Sequence, residues 1–329
     1  MIFHRARRIG LAILLGGFAA AAIHAQPYPN KSIQLIVPYG AGPSDMLAHH
    51  VGVCLASRVR QSVVVLNKPG ASGEVGANFV KLAPPDGHTL ILAASATVTD
   101  LVTKQAPTFD VRQDLEPISK LAFGVQGIFV NAALPIGNAA ELVNHARANP
   151  GKLNYATTGI GSVNHLSTEA LSLSTGIQMA HIPYPQGTGP FLSALMAGEV
   201  QLALTDVGGA QAALDSGKVR LIGLLTRQRM PSRPAVPAIV ETFPDMATYT
   251  GTLWYGFFAP PRTPVDVIQK AHAEITACLN DPQVRASFRK MGYEDNQIVA
   301  DTPAQFKASI LDDIARLKEV VRQANIQLR

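Results

Sequence analysis

Short β-rich runs alternate with helix-period segments along most of the chain. That alternation restricts the fold to α/β lobes with mainly parallel sheets. Residues 33–37 (Ile-Gln-Leu-Ile-Val) predict a strand, after which Leu47, Val51, Cys54 and Leu55 recur at helical spacing. Residues 63–66 predict a second strand, and Val75, Phe79 and Leu82 mark a short helix behind it. Further strands are predicted at 88–93, 128–130, 154–157, 200–205 and 219–225. Between them lie a helix capped by Asn138, one carrying Leu166, Ala170 and Leu173, and one near 190–197. The C-terminal part is helical. Thr263-Pro264, Asp281-Pro282 and Thr302-Pro303-Ala304-Gln305 are cap-plus-proline starts, the last a capping box. A chain of 329 residues is long enough for two such lobes, and 47% hydrophobic residues argue against disorder.

The first 25 residues predict an export signal. Arg5, Arg7 and Arg8 precede an apolar run of fifteen residues, Ile9 to Ile23, which ends in Ile23-His24-Ala25. A membrane anchor would need about 20 apolar residues. The formal net charge is +5, from 28 Lys plus Arg against 23 Asp plus Glu. Three of those positive charges belong to the signal, so cleavage near Ala25 leaves a mature chain at +2. No basic run interleaved with aromatics remains, which argues against a nucleic-acid partner.

Four strand-to-helix junctions are rich in glycine and hydroxyl residues. They are Tyr39-Gly-Ala-Gly-Pro-Ser-Asp45, Pro69-Gly-Ala-Ser-Gly-Glu74, Thr157-Thr-Gly-Ile-Gly-Ser162 and Gln186-Gly-Thr-Gly-Pro190. Such junctions place backbone N–H groups and helix N-termini at the carboxyl ends of strands, where open α/β sheets bind ligands and anions. Apart from the bordering Lys68 they hold no Lys or Arg. Neutral donors suit reversible capture of a small carboxylate.

Nucleotide and catalytic patterns do not fit. Gly40-Ala-Gly42 lacks the third glycine of a dinucleotide fingerprint, and there is no phosphate loop. Neither a G-x-S-x-G elbow nor an H-E-x-x-H pair occurs. Ser162, His165 and Asp206 supply the residue types of a hydrolase triad without its spacing. His49 and His50 are adjacent and would point apart on a helix, so they do not chelate one metal. Cys54 and Cys278 fall on apolar stripes and read as two buried thiols, with a single bridge as the alternative in an exported protein.

The mature chain resembles the receptors of tripartite tricarboxylate transporters, the Bug or TctC-like family. The matching pieces include Ile36-Val-Pro-Tyr-Gly-Ala-Gly-Pro-Ser-Asp45, Val65-Leu-Asn-Lys-Pro-Gly-Ala-Ser-Gly73 and Pro84-Pro-Asp-Gly-His-Thr-Leu90. Further on come Ala148-Asn-Pro-Gly-Lys-Leu-Asn-Tyr-Ala156, Gly159-Ile-Gly-Ser-Val-Asn-His-Leu166, His181-Ile-Pro-Tyr184 and Leu253-Trp-Tyr-Gly-Phe-Phe-Ala-Pro260. The resemblance implies an α/β, two-lobed clamshell of the type II periplasmic-binding-protein kind. Lobe one would comprise 26–124 plus 252–329 and lobe two 125–251, hinged near 125–130 and 253–259. It implies a monomeric periplasmic receptor, not an enzyme, that takes a small carboxylate to a membrane permease and needs no cofactor or metal. A sensory receptor and an exported Ser/His hydrolase are the alternatives.

Carried over by motif position, the ligand-binding residues of lobe one are Tyr39, Gly40, Ala41, Ser44, Asp45, Ser72 and Ser95. Those of lobe two are Thr157, Thr158, Ser162, His165, Tyr184, Gly187 and Asp206. Compared with the family pattern, the first loop is one residue short, with Gly42 running into Pro43-Ser44-Asp45. The usual Tyr-Lys-Gly is Tyr184-Pro185-Gln186-Gly187, and the usual Asp-Asn is Asp206-Val207.

Overall fold

The computed structural model describes residues 28–326 apart from 41, 71, 72, 185, 186, 251, 252 and 324. The export signal lies outside the described residues. The chain begins β1 (Ile33–Val37), α1 (Pro43–Val59), β2 (Val63–Asn67), α2 (Glu74–Lys81), β3 (Thr89–Ala94), α3 (Ala96–Thr103), α4 (Val111–Asp114) and β4 (Glu116–Gly124). It continues through β5 (Gln126–Asn131), α5 (Ala139–Ala148), β6 (Asn154–Thr157), α6 (Val163–Thr175), β7 (Ala180–Pro183), α7 (Thr188–Ala197), β8 (Leu202–Asp206), α8 (Gln211–Asp215) and β9 (Val219–Leu224). It ends with α9 (Ile239–Thr242), β10 (Leu253–Ala259), α10 (Val265–Leu279), α11 (Pro282–Lys290) and α12 (Pro303–Gln323).

These strands form two five-stranded sheets, β2-β1-β3-β10-β4 and β7-β6-β8-β5-β9. In each, the first three strands are parallel and the fourth runs antiparallel to both of its neighbours. The antiparallel strand is the one that has just crossed from the other sheet. β5 follows β4 after Val125 alone, and β10 follows the segment beyond β9. The two lobes therefore share one plan, although the sequence has no visible repeat.

Helices cover both faces of the first sheet, so its strands read as continuous apolar runs rather than alternations. In β1, Leu35 and Val37 face the α1, α10 and α11 side, while Ile36 faces α2, α3 and α12. Leu90 and Leu92 against Ile91 and Ala93 divide in the same way in β3. Each fully buried side chain of this size contributes about 1.5–3 kcal/mol. The terminal helix α12 sets its Phe306 against Gly256, where a Cβ would come within 2.3 Å of the ring. Trp254 donates its indole N–H to Asp313 Oδ2 at 2.7 Å. Leu166 and Ala170 of α6 join the same apolar cluster as Phe306 and Ile310, so the C-terminal helix also touches lobe two.

The reading of two free thiols is corrected. Cys54 on α1 and Cys278 on α10 form a disulfide, with Cα atoms 5.8 Å apart. The two helices pack side by side over one sheet face, which brings stripes 224 residues apart in sequence into register. Six elements escape the sequence reading: α3, α4, β4, β7, α8 and α9. The β-branched composition of α3 (Ala-Thr-Val-Thr-Asp-Leu-Val-Thr) argues against a helix, and tertiary context overrides it. In β4, Pro117, Ser119 and Lys120 interrupt the apolar pattern.

A bridge closing a loop this long restricts the unfolded chain strongly. Replacing both cysteines by alanine, or reducing the native protein, lowers unfolding stability by about 2–5 kcal/mol in urea titrations. An unchanged midpoint would show that the bridge does not constrain the unfolded chain.

Candidate functional site

The register of the strands brings the carboxyl ends of both sheets to the chain crossing. Tyr255 pairs with Ala94 at the end of β3, and Leu253 pairs with Gly124 at the end of β4. Immediately past Val125, Gln126 pairs with Asp206 at the end of β8. The loops after β1 and β3 and those after β6 and β8 thus flank one crossing.

On the lobe-one side, Gly42 precedes α1 in extended backbone, with Pro43 in the first turn. Ser44 is buried. Asp45 accepts a hydrogen bond from Asn67 Nδ2 at 2.8 Å, and the same amide reaches the Tyr39 carbonyl at 3.1 Å. His49 Nε2 stands 3.6 Å from Asp45. Asp45 therefore braces the turn. Tyr39 passes its ring beneath Gly73, where a Cβ would sit 3.0 Å from the ring edge. Its hydroxyl is buried without a well-formed hydrogen bond among the described residues, and burial raises its pKa. Ser95 is 2% exposed at the end of β3, with its hydroxyl likewise buried and unpartnered. Ala41 and Ser72 lie outside the described residues.

On the lobe-two side, the loop after β6 is tied inward at almost every residue. Thr157 Oγ1 accepts from the Gly159 N–H at 3.0 Å and lies 2.6 Å from His181 Nε2. The Thr158 N–H and hydroxyl both point to Asn164 Oδ1. Ser162 caps α6, accepting from the His165 N–H at 3.3 Å, and lies 2.6 Å from the Gly159 carbonyl. His165 Nδ1 accepts from the Gly161 N–H at 3.1 Å. The Ser162 hydroxyl is thus engaged with the loop backbone and Asn164, as a helix cap is. Tyr184 donates its N–H to the Thr157 carbonyl at 2.8 Å, and Gly187 donates to the Tyr184 carbonyl at 3.1 Å.

Asp206 is 8% exposed at the pivot. It packs against Gly124, where a Cβ would come 2.7 Å from Oδ1. Burial pushes its carboxyl up to about 6. The Gly209, Gly208 and Val125 N–H dipoles and the Tyr293 hydroxyl offset part of that rise, but none makes a well-formed hydrogen bond to Oδ2. Tyr255 and Tyr293 stack edge to face beside it.

Glycine at three positions in two of these junctions is not required by the fold. A Cβ at Gly40, Gly42 or Gly189 would meet nothing within 4 Å, and none of the three has a left-handed φ. Open space lies in front of each. Lys68, the bordering cation, lies over the Phe79 ring at 4.1 Å. Among the described residues no group of three His, Cys, Asp or Glu side chains could hold a metal. Sequence reasoning missed Asn67, Asn164, His181, Tyr255 and Tyr293. The first four stand inside matched motifs and Tyr293 follows α11, but their roles depend on neighbours from distant segments that spacing does not reveal.

An acid raised from an ordinary 3.8 to about 6 favours folding fully below pH 3.8 and loses that contribution as pH rises through 6. Asp206→Asn removes the buried charge. Its stability relative to wild type should therefore climb by up to about 3 kcal/mol between pH 4 and pH 7. A difference independent of pH, measured by thermal unfolding across that range, would place the carboxyl in an ordinary environment.

The family described as "Tripartite tricarboxylate transporter family receptor" matches residues 47–326. Among solved structures the chain is similar to the periplasmic binding protein BugD, at 27% identity over 91% of this chain and 99% of that one, with a TM-score of 0.79. It is similar to Rpa4515 of R. palustris with adipate, at 28% identity over 91% and 99% of the two chains and a TM-score of 0.82. It is also similar to MatC (Rpa3494) from Rhodopseudomonas palustris with bound malate, at 26% identity over 89% and 100% and a TM-score of 0.77. The fold is that of the two-lobed periplasmic binding proteins, as the resemblance implies.

Proposed function

The chain belongs to the tripartite tricarboxylate transporter receptor family, and on that premise we propose that it captures a small dicarboxylate between its lobes and delivers it to a membrane permease. The observation that carries the reading is the open space before Gly40, Gly42 and Gly189 at strand-to-helix junctions. Glycines that neither packing nor backbone angle demands are what a ligand lying against the backbone requires. Adipate and malate in the two related structures support a dicarboxylate as the ligand class.

In this reading lobe one spans 26–124 and 252–329, lobe two spans 125–251, and the protein works as a periplasmic monomer after cleavage near Ala25. Lobe one offers Gly40, Ala41, Ser44, Ser72 and Ser95, with Tyr39 and Asp45 bracing the loop. Lobe two offers Thr158, Ser162, Tyr184 and Gly187, with Thr157, His165 and Asp206 behind them. The protein binds and releases its ligand without chemical change, and closure follows from contacts both lobes make only to bound ligand.

Calorimetry on the mature chain with malate, adipate, citrate and acidic amino acids tests this. A dissociation constant of about a micromolar is expected for at least one acid, near −8 kcal/mol. Gly40→Ala sets a Cβ where nothing lies within 4 Å, so it should leave the melting temperature in place and weaken that binding at least tenfold. The absence of any response to carboxylates would overturn the reading.

A further inference from the structure

We propose that His181 is a positioning residue for the lobe-two cradle: through the Thr157 hydroxyl it fixes the Gly159–Gly161 loop on which a carboxylate rests. The proposal depends on the carboxylate-receptor reading for its consequence, though not for its geometry. His181 is absent from the expected ligand set, and its side chain lies behind the loop.

The geometry forms one connected unit. His181 sits on β7 directly opposite Tyr155 of β6. Its ring stacks on Tyr155 with centroids 5.0 Å apart and lies 4.4 Å from the His165 ring of α6. Nε2 reaches the fully buried Thr157 at 2.6 Å. Thr157 Oγ1 has one proton and two lone pairs. It accepts the Gly159 N–H, which leaves its proton for His181 Nε2. The alternative acceptor, the Gly159 carbonyl, is farther at 3.3 Å and already lies 2.6 Å from the Ser162 hydroxyl. These bonds assign His181 as a neutral ring with its proton on Nδ1. His165 must likewise leave Nδ1 unprotonated to accept the Gly161 N–H. Two neighbouring imidazoles thus hold the two glycine N–H groups of one loop, one directly and one through Thr157. Ile160, 46% exposed, is the outward tip between them.

The surroundings keep the His181 ring neutral. Burial first and the neighbouring His165 second lower its pKa to about 4, against an opposing pull from Glu169. Glu169 itself receives the Tyr155 hydroxyl. Gly159 has φ +132 and Gly161 φ +77, left-handed conformations open to glycine, so the ties select one of several shapes the loop could take.

The test uses the mature protein carrying ¹⁵N-glycine. His181→Phe keeps a ring but removes the bond to Thr157, and His181→Gln places an amide where Nε2 stood. On ligand-free protein, His181→Phe should speed amide exchange of Gly159 at least tenfold, and His181→Gln should stay within about threefold of wild type. Malate and adipate binding should follow the same order. Thr157→Val should reproduce His181→Phe, with no further loss in the double variant, because the two groups act as one unit. Should His181→Phe fail to fold, His181→Leu, which likewise lacks a partner for the Thr157 hydroxyl, carries the exchange measurement. Unchanged exchange in His181→Phe, equal damage from glutamine, or additive losses would each overturn the proposal. Wild-type protein that binds no acid would instead remove the receptor reading, while the exchange rates would still decide the clamp.

Discussion

Each sheet depends on a strand that has crossed from the other. β10 fills the position between β3 and β4, and β5 fills the position between β8 and β9. Without the crossing strands each sheet would split, leaving unpaired backbone groups in its interior. The sharing constrains much else. It holds the carboxyl ends of both sheets beside one short link, Gly124-Val125-Gln126. It also explains why Gly124 must be glycine, since the Asp206 carboxyl occupies the space a side chain would take. The contacts that fix the lobes and the loops that would grip a ligand therefore lie within a few residues of each other.

Much of this was legible in the sequence. The strand and helix alternation, the glycine-hydroxyl junctions and the proline-capped C-terminal helices all depend on local spacing, and the structure contains them. The parts that stayed hidden depend on contacts between distant segments. α3 is helical despite a β-branched sequence because its buried Val98 and Val102 complete the apolar cluster beneath α12. The Cys54–Cys278 bridge follows from two helices meeting over a sheet, which neither apolar stripe announces. His181 was visible as part of a motif, but only β6–β7 pairing places it behind Thr157.

The charge count points away from where the electrostatics act. The positive excess lies largely in the first 25 residues, and the bordering Lys68 is held over an aromatic ring. Asp45 and Glu74 stand in the junction loops and Asp206 ends β8, yet none is a bare surface charge, Glu74 being paired with Lys104 at 2.7 Å. Asp45 is tied to Asn67, and burial favours the protonated form of Asp206. An anion approaching these loops meets backbone dipoles and hydroxyls, with the acids bonded or buried. Binding by such groups is weaker per contact than binding by arginine, and that suits a protein that must release its ligand.

The same loops face a conflict between stability and capture. A backbone N–H free to bind an anion costs stability whenever no ligand is present, if it is shielded from water. The lobe-two loop resolves this by satisfying Gly159, Gly161 and Thr158 internally, using side chains behind the loop. Its rigidity then comes from hydrogen bonds that persist in the empty state, so little ordering entropy is left to lose when a ligand arrives. The lobe-one loop takes the other course. It leaves open space before Gly40 and Gly42, and behind it, at the end of β3, the Ser95 hydroxyl is buried without a hydrogen bond among the described residues. One lobe is thus a preformed surface and the other an incompletely satisfied one. On the proposed reading, contacts that the second lobe makes only to a ligand already held by the first supply the differential free energy that a ligand-driven closure requires.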